Sequence, residues 1–300
     1  MFGVTILGNN SALPAYERHP TAQVVTLNDQ LFLIDCGEGT QMQLTRYKIR
    51  RSKINHIFIS HLHGDHYFGL IGLITSMGLL GREHELHLYG PSPLQDILKM
   101  QLDVAATNLP FPIVFHSLDK EGVIVETTKF SVACFPTQHR IPCWGFIIRE
   151  KKNPRKIQKE KVVQYGIPAA YYDKLKEGSD FENKNGEIIK NEWVTIPNKP
   201  PHSYAFCADT KFDETLAEKT KGVTVLYHET TYLKDLEERA NTRFHSTTVQ
   251  AATIAVKANV QRLLIGHFSS KYEKLDNFLA EAQEVFPDTH LAIEGATYQI

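Results

Sequence analysis

Three histidines and one aspartate stand within the six-residue run His61-Leu62-His63-Gly64-Asp65-His66. The run follows the apolar stretch His56-Ile57-Phe58-Ile59, which is typical of a buried strand that ends in a loop. His61 and His63 are two residues apart, so on an extended chain both side chains lie on the same side. Asp65 and His66 begin a predicted helix and could serve a second metal ion. Imidazole nitrogens with carboxylate oxygens favour zinc or a similar first-row ion, whereas the alternative is a polar loop whose histidines bind nothing.

Three further candidate ligands each follow an apolar, strand-like run. His139 follows Phe130–Phe135, Asp209 follows Tyr204–Ala208, and His267 follows Arg262–Gly266. Strand ends are where α/β proteins place their sites, so these residues are expected at one shared edge. A single histidine at a strand end is more often structural, but three such residues beside the first run indicate a metal centre.

Composition limits the class of protein. Three hundred residues with 42% hydrophobic content are enough for one large domain or two closely packed halves. The formal net charge of −1 indicates no general attraction to nucleic acid, so any such site must come from local clustering. The cysteines have no C-x-x-C spacing and are interpreted as buried free thiols of a reducing compartment. They are Cys36, Cys134, Cys143 and Cys207.

The sequence predicts a cytoplasmic protein. No apolar run approaches the roughly 18 residues that a membrane span needs. The chain enters the strand-like run Val4–Leu7 without a cationic leader. We therefore expect no membrane partner.

Strand-like and helical patterns alternate along the chain, and hairpin-like strand pairs occur in both halves. The predicted strands are Val4–Leu7, Gln23–Leu27, Leu31–Asp35, His56–Ser60, Glu85–Tyr89, Gly122–Glu126, Phe130–Phe135, Trp144–Arg149, Ser203–Ala208, Val223–His228, Arg262–Gly266 and His290–Glu294. The predicted helices are Gly39–Lys48, Asp65–Leu80, Pro93–Ala105, Phe212–Lys219, Ser246–Ala258 and Tyr272–Phe286. This order favours an α/β layered sandwich of two mixed sheets with helices outside.

One segment interrupts this pattern. Residues 151–201 are polar and contain Pro154, Pro168, Pro197, Pro200 and Pro201. Segments of this length without regular structure are functional or disordered in most compact domains. We predict a single domain over residues 1–300 that contains residues 150–201 as an inserted arm.

The chain resembles the metallo-β-lactamase superfamily, and more closely its ribonuclease Z branch, the tRNA 3′-processing endonucleases. The stretches that carry the resemblance are Phe32–Gln41 with Asp-Cys-Gly-Glu-Gly, His61–Leu70, Asp209-Thr210, His245-Ser246-Thr247 and His267–Tyr272. His228-Glu229-Thr230-Thr231 matches the family's H-E-A-T element except at its third position. The resemblance extends from about residue 3 to residue 296, and it implies an αββα four-layer sandwich with a projecting arm.

The resemblance also implies a site with two zinc ions per chain. The first ion falls on His61, His63 and His139, the second on Asp65, His66 and His267, and Asp209 bridges the two. A metal hydroxide would then attack a phosphodiester, without a covalent enzyme intermediate or an organic cofactor. Manganese and iron remain open as replacements for zinc.

Three more residues receive roles around this centre. Asp35 is expected to order His61 or its neighbours by a hydrogen bond, or else to cap the Gly37–Thr40 turn. The resemblance gives His245 the role of proton donor to the departing 3′ oxygen, and Glu229 could hold its imidazole in the productive tautomer. The alternative for His245 is a polar residue at a helix N-terminus. Asp65 is both a ligand and a candidate proton acceptor.

Two basic clusters suggest contact with RNA. The first comprises Arg46, Lys48, Arg50, Arg51 and Lys53, and the second comprises Arg149, Lys151, Lys152, Arg155, Lys156, Lys159 and Lys161. Either cluster alone is more simply a solvated face, but beside a phosphodiester-cleaving site such clusters suit an RNA backbone. The resemblance implies a precursor tRNA substrate, gripped at its elbow by the arm, and a homodimer.

The sequence departs from the family where the substrate is gripped. Ala169 and Ala170 replace the arm's Gly-Pro element, and Asn198–His202 replaces a basic, glycine-containing loop. Lys271 replaces an arginine, which keeps the charge but loses the bidentate fork.

The predicted function is removal of the 3′ trailer from precursor tRNA by a zinc-dependent endoribonuclease, leaving a 3′-hydroxyl on the tRNA. The alternatives are a general zinc phosphodiesterase of the same superfamily, a hydrolase of lactams or thioesters, and a catalytically silent RNA-binding relative.

Overall fold

The computed structural model describes residues 2–151 and 154–300. Contacts within the chain divide it into two compact units. The larger unit comprises the chain up to Val125, then Val132–Ile148 and Ser203–Ile300. The smaller unit comprises Glu126–Ser131 and Arg149–His202. The predicted arm, residues 150–201, differs from the second of these segments by one residue at each end.

The strands number from β1 to β20 in chain order. They are β1 (Phe2–Gly8), β2 (Asn10–Ser11), β3 (Ala22–Leu27), β4 (Gln30–Ile34), β5 (Ile54–Phe58), β6 (Leu86–Gly90), β7 (Ile113–Ser117), β8 (Gly122–Glu126), β9 (Phe130–Pro136), β10 (Trp144–Glu150), β11 (Lys156–Ile157), β12 (Phe181–Glu182), β13 (Ile188–Ile189), β14 (Thr195–Ile196), β15 (Ser203–Cys207), β16 (Val225–Glu229), β17 (Arg262–Gly266), β18 (Phe268–Ser269), β19 (Thr289–Leu291) and β20 (Thr297–Gln299).

The helices number from α1 to α11. They are α1 (Thr40–Arg46), α2 (Gly64–Tyr67), α3 (Leu70–Leu79), α4 (Pro93–Val104), α5 (Lys159–Gln164), α6 (Tyr172–Glu177), α7 (Asn191–Val194), α8 (Thr215–Lys219), α9 (Glu237–Arg243), α10 (Thr248–Lys257) and α11 (Asp276–Val285). Short 3₁₀ turns lie at Arg51–Lys53, Ala169–Tyr171 and Lys234–Leu236. No helix in the described ranges is long and apolar enough to cross a membrane.

Two seven-stranded sheets form the centre of the fold. The first has the order β20-β1-β3-β4-β5-β6-β7, and the second has the order β19-β17-β16-β15-β10-β9-β8. Strands β4 to β7 are parallel to one another, as are β15, β16, β17 and β19. Parallel neighbours end at the same edge of a sheet, so loops that follow these strands meet there.

Aromatic side chains fill the space between the two sheets. The rings of Phe58 on β5 and Phe146 on β10 lie 5.3 Å apart, and the Tyr204 hydroxyl on β15 donates a hydrogen bond to Gln23 on β3. Outside the first sheet, helices α1, α3 and α4 bury apolar residues such as Leu44 and Leu73. Helices α8, α10 and α11 do the same against the second sheet. The predicted αββα four-layer sandwich is therefore confirmed.

The prediction of one continuous helix over Asp65–Leu80 was wrong, because α2 ends at Tyr67 and α3 begins at Leu70. The backbone of Gly69 lies against a different loop here. Its N–H donates to the Cys36 carbonyl at 2.9 Å, and a Cβ at this position would lie 2.2 Å from the Gly37 carbonyl oxygen. The helix is broken by this close approach, which no local pattern shows. Strands β7 and β20 and helix α9 were also not predicted.

The smaller unit has a core of its own. Its buried residues are Val162, Ile167, Leu175, Ile189 and Val194. Helices α5, α6 and α7 and the strand pairs β11–β14 and β12–β13 build it, and Ala169 and Ala170 lie in the 3₁₀ turn before α6. The polar segment is thus folded structure with regular elements.

Candidate metal centre and active site

Seven candidate ligands follow strand ends of the two sheets. His61 and His63 lie just after β5, and Asp65 and His66 lie in α2. The remaining three follow β9, β15 and β17; they are His139, Asp209 and His267. Residues that are far apart in the sequence therefore meet because parallel strands end at a common edge.

The first group surrounds one point with three imidazoles. The Nδ1 atom of His63 lies 3.0 Å from Nε2 of His61 and 3.0 Å from Nε2 of His139. Oδ2 of Asp209 lies 3.7 Å from His61 Nε2 and 3.9 Å from His139 Nε2. Those four residues form a cluster that could hold a metal ion.

The second group lies on the other side of Asp209. Its Oδ1 atom is 3.2 Å from His267 Nε2 and 3.4 Å from His66 Nε2. Oδ2 of Asp65 is 3.4 Å from His267 Nε2 and 3.6 Å from His66 Nε2. The two oxygens of Asp209 thus face different groups, which is the arrangement that a bridging carboxylate requires.

These distances fit metal coordination better than hydrogen bonding. A tetrahedral zinc ion with zinc–nitrogen bonds of about 2.0–2.1 Å separates its ligand nitrogens by about 3.3 Å. One nitrogen of His63 cannot form a full hydrogen bond with two imidazoles, because a ring nitrogen offers either one proton or one lone pair. In addition, the buried Nε2 atom of His66 has no hydrogen-bond partner among the described residues. The side chains therefore fit two metal ions.

A layer of hydrogen bonds orients these imidazoles. Oδ2 of Asp35 lies 2.7 Å from Nδ1 of His66, and the Ser60 backbone N–H donates to Asp35 Oδ1 at 2.7 Å. Asp35 is fully buried and contacts His66 rather than His61. A partner on one ring nitrogen leaves the other nitrogen free to bind a metal ion.

His139 and His267, which lie far from His66 in the sequence, also have hydrogen-bond partners at Nδ1. Nδ1 of His139 lies 2.9 Å from the Phe244 carbonyl oxygen, to which it can donate. Nδ1 of His267 lies 3.0 Å from the hydroxyl of Thr231, which was not singled out from the sequence. The Thr231 hydroxyl is also 2.9 Å from Oε2 of Glu229. Because Nδ1 has a partner in each ring, the Nε2 atoms of His139 and His267 are left to face the candidate metal ligands.

Electrostatics differ between the two groups. Burial lowers the pKa of His61 and of His139, and it lowers the pKa of His63 to about 4. These three rings are therefore neutral at neutral pH, which is the form that binds a metal. Burial also opposes charge on His66, but Asp209, Asp65 and Asp35 raise its pKa well above the ordinary value. A metal ion would take the place of that proton.

His245 and Glu229 form a pair at the side of the centre. Nδ1 of His245 lies 2.9 Å from Oε1 of Glu229, which is fully buried at the end of β16. The same oxygen accepts hydrogen bonds from the backbone N–H groups of Ser246 and Thr210. Burial opposes the charged form of His245, but Glu229 outweighs it and raises the pKa to about 9. His245 also lies near Asp209 and His267, in a third group that could hold a metal ion.

A cleft of about 400 Å³ opens onto these residues. Asp65, Asp209 and His245 lie in its wall, together with Phe68 and Arg140, which were not singled out from the sequence. The backbone N–H of Ala12 donates to Asp65 Oδ2 at 2.7 Å. Substrate can therefore reach the candidate ligands from one side.

The first basic cluster lies away from this cleft. Arg46 ends α1, and Arg51 and Lys53 lie in the turn that precedes β5. The histidines follow the other end of that strand, so the five residues of β5, or roughly 16 Å of extended chain, lie between the two groups. These cations therefore do not line the cleft that holds the candidate ligands. Contact with a more distant part of an RNA remains a prediction.

The second basic cluster belongs to the smaller unit, where Lys151, Arg155 and Lys161 have side-chain partners. Lys151 forms an ion pair with Glu126, and Nε of Arg155 donates to the Thr195 hydroxyl at 2.7 Å. Lys156 is exposed in β11. Lys152 lies outside the described residues.

Comparison with known proteins identifies relatives along the whole chain. Ribonuclease Z of Bacteroides fragilis (strain YCH46) is 45% identical over 296 residues, which cover 98% of this chain and 97% of that protein. Ribonuclease Z of Parabacteroides distasonis is 44% identical over 98% of this chain and 97% of its own length. A family model described as Anti-Pycsar protein Apyc1 matches residues 2–154.

Solved structures show the same fold. Human tRNase Z, short form, has a TM-score of 0.74 and 26% sequence identity, and the match covers 99% of both chains. The metallo-beta-lactamase fold protein YhfI from Bacillus subtilis has a TM-score of 0.69 and 19% identity over 99% of this chain and 98% of its own. The second likeness concerns the fold alone.

Proposed function

The chain belongs to the ribonuclease Z family of the metallo-β-lactamase superfamily, and from this we propose that it removes the 3′ trailer from precursor tRNA. As a member of this family it is a hydrolytic endoribonuclease. The observation that carries the substrate proposal is the relatedness over nearly the whole chain, at 45% identity, rather than over the metal motif alone. The convergence of seven side chains into groups that could hold metal ions, beside a cleft lined by His63, Asp65 and Asp209, supports it.

We propose two zinc ions for this site. His61, His63 and His139 would hold the first, Asp65, His66 and His267 would hold the second, and Asp209 would touch both. When bound, two such ions supply Lewis acidity and lower the pKa of water, so that hydrolysis proceeds near neutral pH. Asp35 and Thr231 would keep the ring orientations of His66 and His267 through their hydrogen bonds.

The chain's own groups would manage the protons of the reaction. Water adds to phosphorus, the bond from phosphorus to the 3′ oxygen breaks, and this oxygen needs a proton. With Nδ1 of His245 held by Glu229, its Nε2 atom is the available donor. Asp65 would accept the proton that water loses. The products are a 3′-hydroxyl on the tRNA and a 5′-phosphate on the trailer.

Other expectations also stay proposals. The basic residues Arg46, Lys48, Arg50 and Arg51 and, in the smaller unit, Lys151, Arg155 and Lys156 would contact the RNA backbone away from the cleaved bond. A homodimer and a cytoplasmic location are further proposals, and sedimentation of the purified protein tests the first of them.

Incubation with a trailer-bearing precursor tRNA and with bis-p-nitrophenyl phosphate tests the function. We expect cleavage of the precursor at one position and hydrolysis of the small ester. Hydrolysis of the ester without cleavage of any precursor would overturn the tRNA substrate and leave a general phosphodiesterase. Less than one metal ion per purified chain, with neither activity, would favour a catalytically silent RNA-binding relative. Nitrocefin turnover would test the remaining alternative, a lactam hydrolase.

A further inference from the structure

Phe68 is an aromatic side chain in the wall of the active-site cleft. It is 63% exposed, although it lies only two residues after His66. A single exposed apolar residue on a protein surface needs no explanation. This one, however, shares the cleft with Asp65, Asp209 and His245, where substrate must enter.

The ring of Phe68 is held rigidly on one side. A Cβ at Gly64 would lie 2.2 Å from the ring, so the ring packs directly on the backbone between His63 and Asp65. The edge of the Tyr67 ring lies against it, with centroids 5.0 Å apart and planes at 65°. The Phe68 backbone N–H also donates to the Gly64 carbonyl at 2.9 Å. The ring therefore has a fixed position relative to the candidate ligands, while most of its surface stays open.

A cation lies in the wall of the same cleft. Arg140 is exposed and directly follows the candidate ligand His139. In the ranges that the structure describes, its guanidinium forms no hydrogen bond or ion pair with another residue. Leu13, which is 51% exposed, adds another apolar surface to the cleft. An aromatic ring, an aliphatic side chain and an unpaired guanidinium together suit a nucleotide, which offers a flat base and an anionic phosphate.

Charge restricts where each part of the nucleotide lies. Glu38 is exposed in the cleft and would repel a phosphate, whereas Arg140 would attract one. The cleft volume of about 400 Å³ lies near the lower end of the roughly 300–1,000 Å³ typical of small-molecule sites. It therefore suits the reacting nucleotide rather than a folded RNA element.

We infer that Phe68 is a positioning residue that stacks on the base of a nucleotide adjoining the cleaved bond, while Arg140 holds a phosphate of the same strand. The inference rests on the proposed function and specifies how that site grips its RNA. Stacking tolerates any base, because every base has a π face. Phe68 thus fixes the position of cleavage without selecting a sequence.

Variants at position 68 test the inference. Phe68→Ala should lower kcat/KM for precursor cleavage about 10- to 100-fold, the range expected for the loss of one stacked base. Phe68→Leu keeps an apolar side chain against Gly64 but removes the ring, so it should show a similar loss. Phe68→Tyr and Phe68→Trp should retain most of the activity. Metal content and melting temperature, measured on all four variants, show whether the site and fold are intact.

Two precursors with a single abasic nucleotide, immediately 5′ or immediately 3′ of the cleaved bond, provide the decisive comparison. For the wild-type enzyme, one of the two abasic precursors should lower kcat/KM by the same factor as Phe68→Ala lowers it on the intact precursor. For the Phe68→Ala variant, that abasic precursor should lower kcat/KM no further. Equal abasic penalties in both proteins, or full activity of Phe68→Leu, would overturn the stacking role. A wild-type enzyme that cleaves no precursor would overturn the proposed function, and this inference with it.

Discussion

Nδ1 of His245 lies 2.9 Å from Oε1 of Glu229, so a fully buried carboxylate determines which nitrogen of the imidazole faces the cleft. The same oxygen also accepts hydrogen bonds from the backbone N–H groups of Thr210 and Ser246. These bonds hold the carboxylate of Glu229 in place. A histidine held in this way is suited to deliver a proton to one particular atom of the substrate.

The first prediction concerns the leaving group. We expect His245→Ala to lower kcat for precursor cleavage by about 10²- to 10⁴-fold, the range of general acid catalysis. The same variant should lose much less activity on bis-p-nitrophenyl phosphate, because p-nitrophenolate departs without a proton. Steady-state kinetics on both substrates measure the difference. Equal losses on the two substrates would contradict the donor role and favour His245 as a metal ligand.

The second prediction concerns Asp35 and its contact with His66. Asp35→Asn removes the negative acceptor of the His66 Nδ1–H, so we expect about 10- to 100-fold weaker metal binding. Competition with a chelator of known affinity measures the change. Asp119→Asn is the matched control, because Asp119 is exposed and bonds only the neighbouring Ser117 among the described residues. Unchanged metal affinity in Asp35→Asn would show that the contact does not support the site.

The third prediction separates activity from folding at Asp65. Its side chain is largely buried beside His66 and His267 and accepts the Ala12 N–H. Asp65→Ala should abolish turnover on both substrates, because a ligand and the candidate proton acceptor are lost together. Circular dichroism should still show the folded protein, since the carboxylate lies in the wall of the cleft and not between the sheets. Turnover near that of the wild type would refute both roles.

The fourth prediction concerns stability and involves histidines outside the active site. His56 on β5 lies beside His87 on β6, with ring centroids 5.0 Å apart. Burial, with further repulsion from His87 and His116, lowers the pKa of His56 to about 4 from an ordinary value of 6.5. The unfolded chain therefore binds more protons between these values, and stability falls as the pH falls through this window.

Replacement of His56 should remove the contribution of this residue to the loss of stability at low pH. We expect the melting temperature of His56→Phe to fall less than that of the wild type between about pH 7 and about pH 5. His290→Gln is the control, since His290 is an exposed histidine whose side chain contacts Asp288. Parallel melting curves for the wild type and His56→Phe across this range would contradict the assignment.

The candidate metal ligands could be predicted from the sequence because their spacing is local or tied to strand ends. His61, His63, Asp65 and His66 form one short run, and His139, Asp209 and His267 each follow an apolar strand. The contacts that orient them depend on distant segments. Thr231 meets His267 across 36 positions, and Asp35 meets His66 across 31. Asp35 was given a role from its motif, whereas Thr231 belongs to the His228–Thr231 motif but was given no role of its own.

The incorrect prediction of one continuous helix over Asp65–Leu80 has a physical cause of the same kind. Helix α2 ends before Gly69 because the loop at Cys36 and Gly37 occupies the space that a longer helix would need. The position of the Arg46–Lys53 cluster relative to the cleft also depends on the fold, because β5 lies between this cluster and the candidate ligands that follow the strand. Phe68 and Arg140 became visible as cleft residues only when the loops were placed around one opening.

The most direct test is to map the ends of the products from one precursor tRNA. We predict a single cut that leaves a 3′-hydroxyl on the tRNA and a 5′-phosphate on the trailer, with activity lost on chelation and restored by zinc. A 2′,3′-cyclic phosphate on the tRNA, a 5′-hydroxyl on the trailer, or cleavage that survives removal of all metal would contradict it.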